Sequence, residues 1–182
     1  CRCSTGRDMT DLQYTSDIFG LLIDETTLRV LLVKTEEGNW SLPHVRLDKR
    51  VYLHQAGVVA EALGKLLVAD ITVLRNVYVQ IAPDSTQRVL IYQLENHSTG
   101  WMPPADVEWI GQDSIAELPM EYPDQRTVIA ENLAEIATQQ VPVLRPPWAR
   151  PGWFTRATAW MRDQLAARGV EAIGQGLGLV VA

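Results

Sequence analysis

The chain has 182 residues, 47% of them hydrophobic, and carries 16 Lys/Arg against 22 Asp/Glu for a formal net charge of −6. A domain of about 150 residues buries close to 70% of its unfolded surface, so this length suits one compact domain plus a remainder, with no need of a disulfide or metal staple. The acidic balance argues against nucleic acid as a partner, which would need clustered cations. The longest apolar runs, such as Leu66–Ala69 and Gly178–Ala182, fall far short of the roughly 18 residues that cross a membrane.

Residues 1–16 read as a tail. Cys1 and Cys3 are too close for ordinary bridging and too few for a zinc site. A terminal cysteine can mark lipidation, but Arg2 and Arg7 beside it look like untranslated or fragment-derived sequence. Met9 reads as a natural start, and no charged-then-apolar leader is present, so a cytoplasmic address is expected.

From there the pattern turns regular. Asp17–Asp24 and Leu28–Lys34 are β-rich runs joined by polar Glu25-Thr26-Thr27, which predicts a hairpin. Leu31, Leu32 and Val33 are continuous, as in a strand covered on both faces. Glu36–Asn39 is a turn, and Trp40–Pro43 a short strand. Val51–Val68 is predicted as a helix, with apolar or small residues at 56, 59, 60, 63, 66 and 67 and the stripe widened by Leu53 and Val58. Gly57 and Gly64 each cost it about 1 kcal/mol relative to alanine, so packing must hold it. Ile71–Ile81 and Arg88–Glu95 are strands joined through Pro83-Asp84-Ser85. Glu108-Trp109-Ile110 is a further short strand, Asp113–Leu118 a helical turn, and Tyr122–Gln139 a closing helix.

The stretch from Trp40 to Leu67 carries the strongest signal. Trp-x-Leu-Pro at 40–43, then the small pair Ala56-Gly57, align without a gap to the signature of the Nudix hydrolases, G-x5-E-x7-R-E-U-x-E-E-x-G-U. The Glu-Trp-Ile strand and the short helix ending in Leu118-Pro119 also resemble that family. The resemblance covers about residues 17–138 and implies an α+β fold, an α/β sandwich with a mixed sheet between helices. The acidic residues of the signature are replaced. Its Gly-Gly falls on His44-Val45, the upstream Gly-Glu on Arg50-Val51, the Arg-Glu pair on Val59-Ala60, the Glu-Glu pair on Leu63-Gly64 and the closing glycine on Leu66. The family's reaction is water attack on a pyrophosphate with Mg2+ or Mn2+, held by helix carboxylates at i, i+3 and i+4. Here Glu61 is the only carboxylate in the helix. A one-residue slip would put Gly64 and Lys65 at the following pair, and neither binds a cation.

Beyond residue 140 the composition changes. Residues 1–140 hold 11 Lys/Arg against 20 Asp/Glu, net −9; residues 141–182 hold 5 against 2, net +3. Four of the ten prolines lie in Val141–Pro151, an extended, semi-rigid linker. An amphipathic helix follows, with Phe154, Ala157, Trp160, Met161 and Leu165 on its inward side. Pro-Pro-Trp-Ala-Arg-Pro-Gly-Trp at 146–153 and Ala-Trp-Met at 159–161 resemble the entry to an aminoglycoside-phosphotransferase-like kinase domain that some proteins carry behind a Nudix-like domain. No Gly-rich phosphate loop, strand lysine or catalytic-loop aspartate follows. The segment is therefore expected to open a second domain and to lie against the acidic body or a second copy, with the tail after Gly169 loosely held. Gly174–Gly178 and its apolar tail have no partner strands in the sequence.

The candidate ligand-contacting residues are Trp40, His44, Glu61 and Trp101; no catalytic and no metal-binding residue is assigned. Trp40, Trp101 and Trp109 would suit a base-stacking pocket, against which stands ordinary core packing. His44 takes the place of a loop glycine near the family's substrate phosphates, and Glu61 pairs naturally with Lys65 at i,i+4. His54 and His97 are scattered from it, so no local histidine cluster forms. The cationic-aromatic series Arg145, Trp148, Arg150, Trp153, Arg156 fits an acidic protein surface better than nucleic acid. The expected role is a binding, regulatory or structural domain for a nucleotide-like small molecule, working with a C-terminal domain and without a cofactor. The rival is a hydrolase of nucleoside diphosphate derivatives using Mg2+ or Mn2+, for which Glu95 and Asp106 are the available ligands.

Overall fold

A computed structural model of the chain describes residues 13–140 and 142–169. The chain divides into two compact units between Val143 and Leu144. The first is built on a sheet of seven strands among the described residues: β1 (Thr15–Asp24), β2 (Arg29–Lys34), β3 (Trp40–Ser41), β4 (His44–Leu47), β5 (Ile71–Ile81), β6 (Gln87–Asn96) and β7 (Val107–Gly111). Strand β1 is its spine. One edge of β1 runs parallel to β6 from Thr15↔Gln87 to Leu22↔Leu94. The other edge is shared: β4 pairs antiparallel with its first half, and β2 with its last residues through Ile23↔Val30. Strand β7 then pairs with β2, and β5 with β6, both antiparallel.

Helices cover both faces. On one, α1 (Ala56–Leu67) presents Val59, Leu63 and Leu67, all fully buried against Ile18, Leu31, Leu90 and Tyr92. On the other, α2 (Gln112–Ile115) and α3 (Pro123–Thr138) contribute Ile115, Val128, Ile129 and Leu133 against Phe19, Leu21, Leu32 and Ile91. Adjacent residues of one strand point to opposite faces. Leu31 and Leu32 therefore enter different halves of the core, and this is why the run is apolar without alternation. The close approach of α1 depends on Gly20. A Cβ there would stand 2.6 Å from Leu94 Cδ1 and 3.1 Å from Leu63 Cδ1.

The mixed sheet between helices is the α+β sandwich expected. Three local readings are corrected. First, the helix begins at Ala56, not Val51. Val51 N–H donates to Ser16 Oγ at 2.9 Å, and Ser16 Oγ donates to Lys49 O at 2.8 Å, so the chain is tied to β1 there and cannot coil. Leu53 consequently falls before the helix and is 53% exposed, while Leu66, within it, lies outside the buried stripe at 43%. Second, His44 is in a strand rather than a loop: His44 faces Phe19 and Arg46 faces Asp17 in the β1–β4 ladder. Third, Trp160 of α4 (Trp153–Ala167) is 63% exposed, so it does not join the inward stripe.

The second unit consists, as far as it is described, of a 3-10 turn at Pro147–Ala149 and α4, entered through Gly152 at φ 69°. Phe154, Ala157, Met161 and Leu165 are half-buried. Cys1, Cys3, Met9 and the tail around Gly174–Gly178 lie outside the described residues. No described helix is long and apolar enough to cross a membrane.

Candidate functional site

A cleft of about 400 Å³ opens in the first unit, where the end of β2, the β3–β4 segment, α1, the 104–107 loop and the start of α3 come together. Val33, Leu42, Leu66, Pro104 and Val107 give it apolar walls. Glu36, Glu37, Asp106 and Glu121 supply carboxylates, and His44 is the one basic side chain among its lining residues. Helix α1 contributes only Leu66, a side chain with no atom that binds a cation.

His44 is held from two directions. Its ring stacks on Phe19, its cross-strand neighbour, with centroids 4.4 Å apart and planes 18° from parallel. Tyr122 meets the other side of that arrangement, edge-on to Phe19 at 5.0 Å. His44 Nε2 lies 3.1 Å from Asp17 Oδ1, and Gln87 Nε2 donates to Asp17 Oδ2 at 3.1 Å. Asp17 is 8% exposed, and a carboxylate so placed needs such partners. With Nε2 engaged by Asp17, Nδ1 is the second ring nitrogen of His44 at the cleft. That atom is what the site offers a ligand.

The main chain around the cleft is pinned by α3 and by Glu121 just before it. Gln125, 2% exposed, accepts the Leu42 N–H at 2.9 Å through Oε1. Asn39 Nδ2 donates to Glu121 Oε2 at 3.0 Å, and Glu121 N donates to Trp40 O at 2.9 Å. Farther along the same helix, Asn132 accepts from Arg75 Nη2 at 2.6 Å, while Arg75 Nε donates to Gln93 Oε1 at 2.7 Å. Register shifts in β5 on both sides of Arg75 and Asn76 go with this arrangement.

The four candidate residues are not gathered at one place. His44 lines the cleft. Trp40 is 9% exposed in the core on the α3 side. Trp101 packs against the α1-side core, and its Nε1–H donates to Leu67 O at 2.9 Å, closing the C-terminal end of α1. Glu61 is exposed on α1 and binds Lys65 Nζ at 2.6 Å; that bond and the lysine charge hold its carboxyl below the ordinary range. Of the two carboxylates reserved for the rival reading, Asp106 lines the cleft, whereas Glu95 sits 3.9 Å from His97. Among the described residues, no three His, Cys, Asp or Glu side chains are arranged to hold a metal ion.

Asp17, Glu121, Tyr122 and Gln125 were not singled out by the sequence. One signal was available: Asp17, Phe19 and Leu21 share a parity in β1, so Asp17 had to face the same covered side as two core residues.

No protein-family model matches the chain, and no curated protein matches it in sequence. Solved structures do match in fold. A Nudix hydrolase from Nitrosomonas europaea superposes with TM-score 0.53 at 14% identity, covering 70% of this chain and 74% of that one. The E. coli ORF135 protein gives TM-score 0.51 at 12% identity over 71% of this chain and 96% of its own. A chain named as an oxidoreductase candidate from Sinorhizobium meliloti 1021 gives TM-score 0.50 at 13% identity; this chain spans only 40% of it. At such identities the likeness speaks to architecture alone, and the chain has a Nudix-like fold.

Proposed function

We propose that the first unit is a Nudix-like domain without the family's metal chemistry, which binds a small molecule in the cleft beside His44 and serves a kinase-like partner domain as a binding or regulatory module. The observation that carries this is the packing of α1. The positions that would hold the paired carboxylates are Leu63, fully buried, and Gly64, where a Cβ would stand 2.9 Å from Ala69 O. Neither has room for a metal-binding side chain.

The cleft also narrows the ligand. Four carboxylates line it and no lysine or arginine does, so a bare diphosphate would be repelled. The base or another neutral or amine-bearing end of a nucleotide-like molecule suits the rim, with a hydrogen bond to His44 and an aromatic edge at Tyr122. A hydrolase using Mg2+ or Mn2+ is the second reading. It is favoured by one observation, the presence of Asp106 beside Glu36, Glu37 and Glu121 on the cleft wall.

Incubating the full chain with ADP-ribose, an NDP-sugar and a dinucleoside polyphosphate, with Mg2+ and with Mn2+, separates the two. Saturation-transfer NMR on the same compounds reports binding. The first reading expects binding that His44→Ala weakens at least tenfold, with no turnover. Metal-dependent turnover abolished by Asp106→Asn would overturn it in favour of the second, and absence of any binding would overturn both.

A further inference from the structure

The loop that leads from β4 into α1 carries a second polar cluster that shares no residue with the cleft. Arg50 lies over the Tyr14 ring at 4.7 Å and the Tyr52 ring at 5.7 Å. Arg88, from β6, lies over the same Tyr52 ring at 5.3 Å. His54 stacks on Tyr52 at 5.7 Å with planes 18° from parallel. Two guanidinium groups are thus gathered around one tyrosine that is itself 43% exposed.

Their donors are mostly unspent. Arg50 Nη2 donates to Ser85 O at 3.3 Å, and Arg88 Nη1 donates to Val51 O at 3.2 Å. Those two bonds tie the loop to the sheet and explain why arginines stand here at all. They do not explain the rest. The Nε of each arginine is buried and donates to nothing. Neither arginine forms an ion pair with a described carboxylate; the described pairs use His44, Arg46, Lys65, Arg75 and His97. The described residues 13–140 contain 18 Asp/Glu, yet none of these is placed as counter-ion to either arginine. Four residues along β6 from Arg88, on the same face, Tyr92 is 1% exposed and its hydroxyl also lacks a partner.

Like charges held together repel, and buried N–H groups without acceptors carry a full desolvation penalty. Stacking on tyrosine offsets part of this, but an anion offsets both terms together. The planar fork of arginine matches the two oxygens of a carboxylate or phosphate group. We infer that Arg50 and Arg88, with Tyr52 and His54 exposed beside them, form a binding site for an oxyanion, a carboxylate or phosphate group of a small molecule.

The test follows the arginine Nε–Hε signals of the 15N-labelled full chain in chloride buffer. One arm is titrated with inorganic phosphate and another with succinate; Arg50→Lys and Arg88→Lys assign the two signals. Saturable shifts confined to Arg50 and Arg88 are expected, with at least tenfold weaker binding in either variant and none lost in Arg29→Lys. Saturation by phosphate alone identifies a phosphate site, and by succinate alone a carboxylate site. If neither anion saturates, if the shifts spread evenly over all arginines, or if both lysine variants bind as tightly as the wild type, the inference is overturned. Should a variant fail to fold, the wild-type titrations decide by themselves.

Discussion

Helices α1 and α3 lie on opposite faces of one sheet and are stabilised in opposite ways. The buried side of α1 is wholly apolar: Val59, Leu63 and Leu67. The buried side of α3 mixes Val128, Ile129 and Leu133 with Gln125 and Asn132, both of which hold hydrogen bonds across the core. The family resemblance would put metal-binding carboxylates on α1, yet the polar groups that organise the cleft come from α3 and β1. A helix that buries three aliphatic side chains along one line has no room for charge on that line, and its charged pair, Glu61 and Lys65, stands on the exposed side. In this chain α1 is a packing element, and the orientation of the cleft's main chain is set from the other side.

The sharpest way to break that comparison is to give α1 its charges back. Leu63→Glu with Gly64→Glu should destabilise the fold by more than about 4 kcal/mol, because one carboxylate enters the core and the other meets Ala69 O. Urea denaturation measures the loss. A folded double variant whose Tm rises with Mg2+ would show that the helix can serve both purposes.

A smaller effect is expected on the α3 side. Gln125→Leu removes the acceptor for the Leu42 N–H inside the core, at a cost of about 1–3 kcal/mol. Hydrogen exchange at Leu42 should quicken with it. Unchanged exchange would mean that the β3–β4 segment holds its shape without α3.

The smallest effect belongs to neither helix and calibrates both. Asp24 is pushed up by partial burial, but bonds from the Thr27 hydroxyl, from the Thr26 and Thr27 N–H groups and the Arg29 charge outweigh this and leave its pKa below 3.8. A lowered folded pKa stabilises above the unfolded value and is lost as pH falls through the folded one. Asp24→Asn should therefore cost about 0.5 kcal/mol at pH 7, after solvent screening, and nothing once pH is below the folded pKa. Equal midpoints at both pH values would remove the hairpin turn from the list of stabilising features.

Most of the architecture was legible because strand and helix periods are written in side chains. The runs Asp17–Asp24, Ile71–Ile81 and Tyr122–Gln139 needed only parity or the 3.6 period. The start of α1 was not legible, since Val51 is held out of the helix by Ser16, 35 positions earlier. Strand β4 was missed for a related reason. Its four residues are too few for a pattern, and the pairing with β1 alone defines it. The site was less legible still. His44 was found from its place in the motif, but Asp17, Tyr122 and Gln125 reach it only through tertiary contacts. Trp40 and Trp101 illustrate the reverse: large aromatics suggest a stacking platform, whereas here one fills core and the other closes a helix end.

Gly20 gives the cleft a boundary that no lining residue controls. Its missing side chain lets Leu63 settle against the sheet, and Leu66, one turn of helix later, forms part of the cleft wall. The width of the opening is thus governed from behind, by a residue that never touches what enters it. Any attempt to reshape the cleft for a larger guest has two routes. One trims the visible wall at Leu66; the other levers α1 outward by a single methyl group at position 20, moving the whole wall like a hinged panel at the expense of the core behind it.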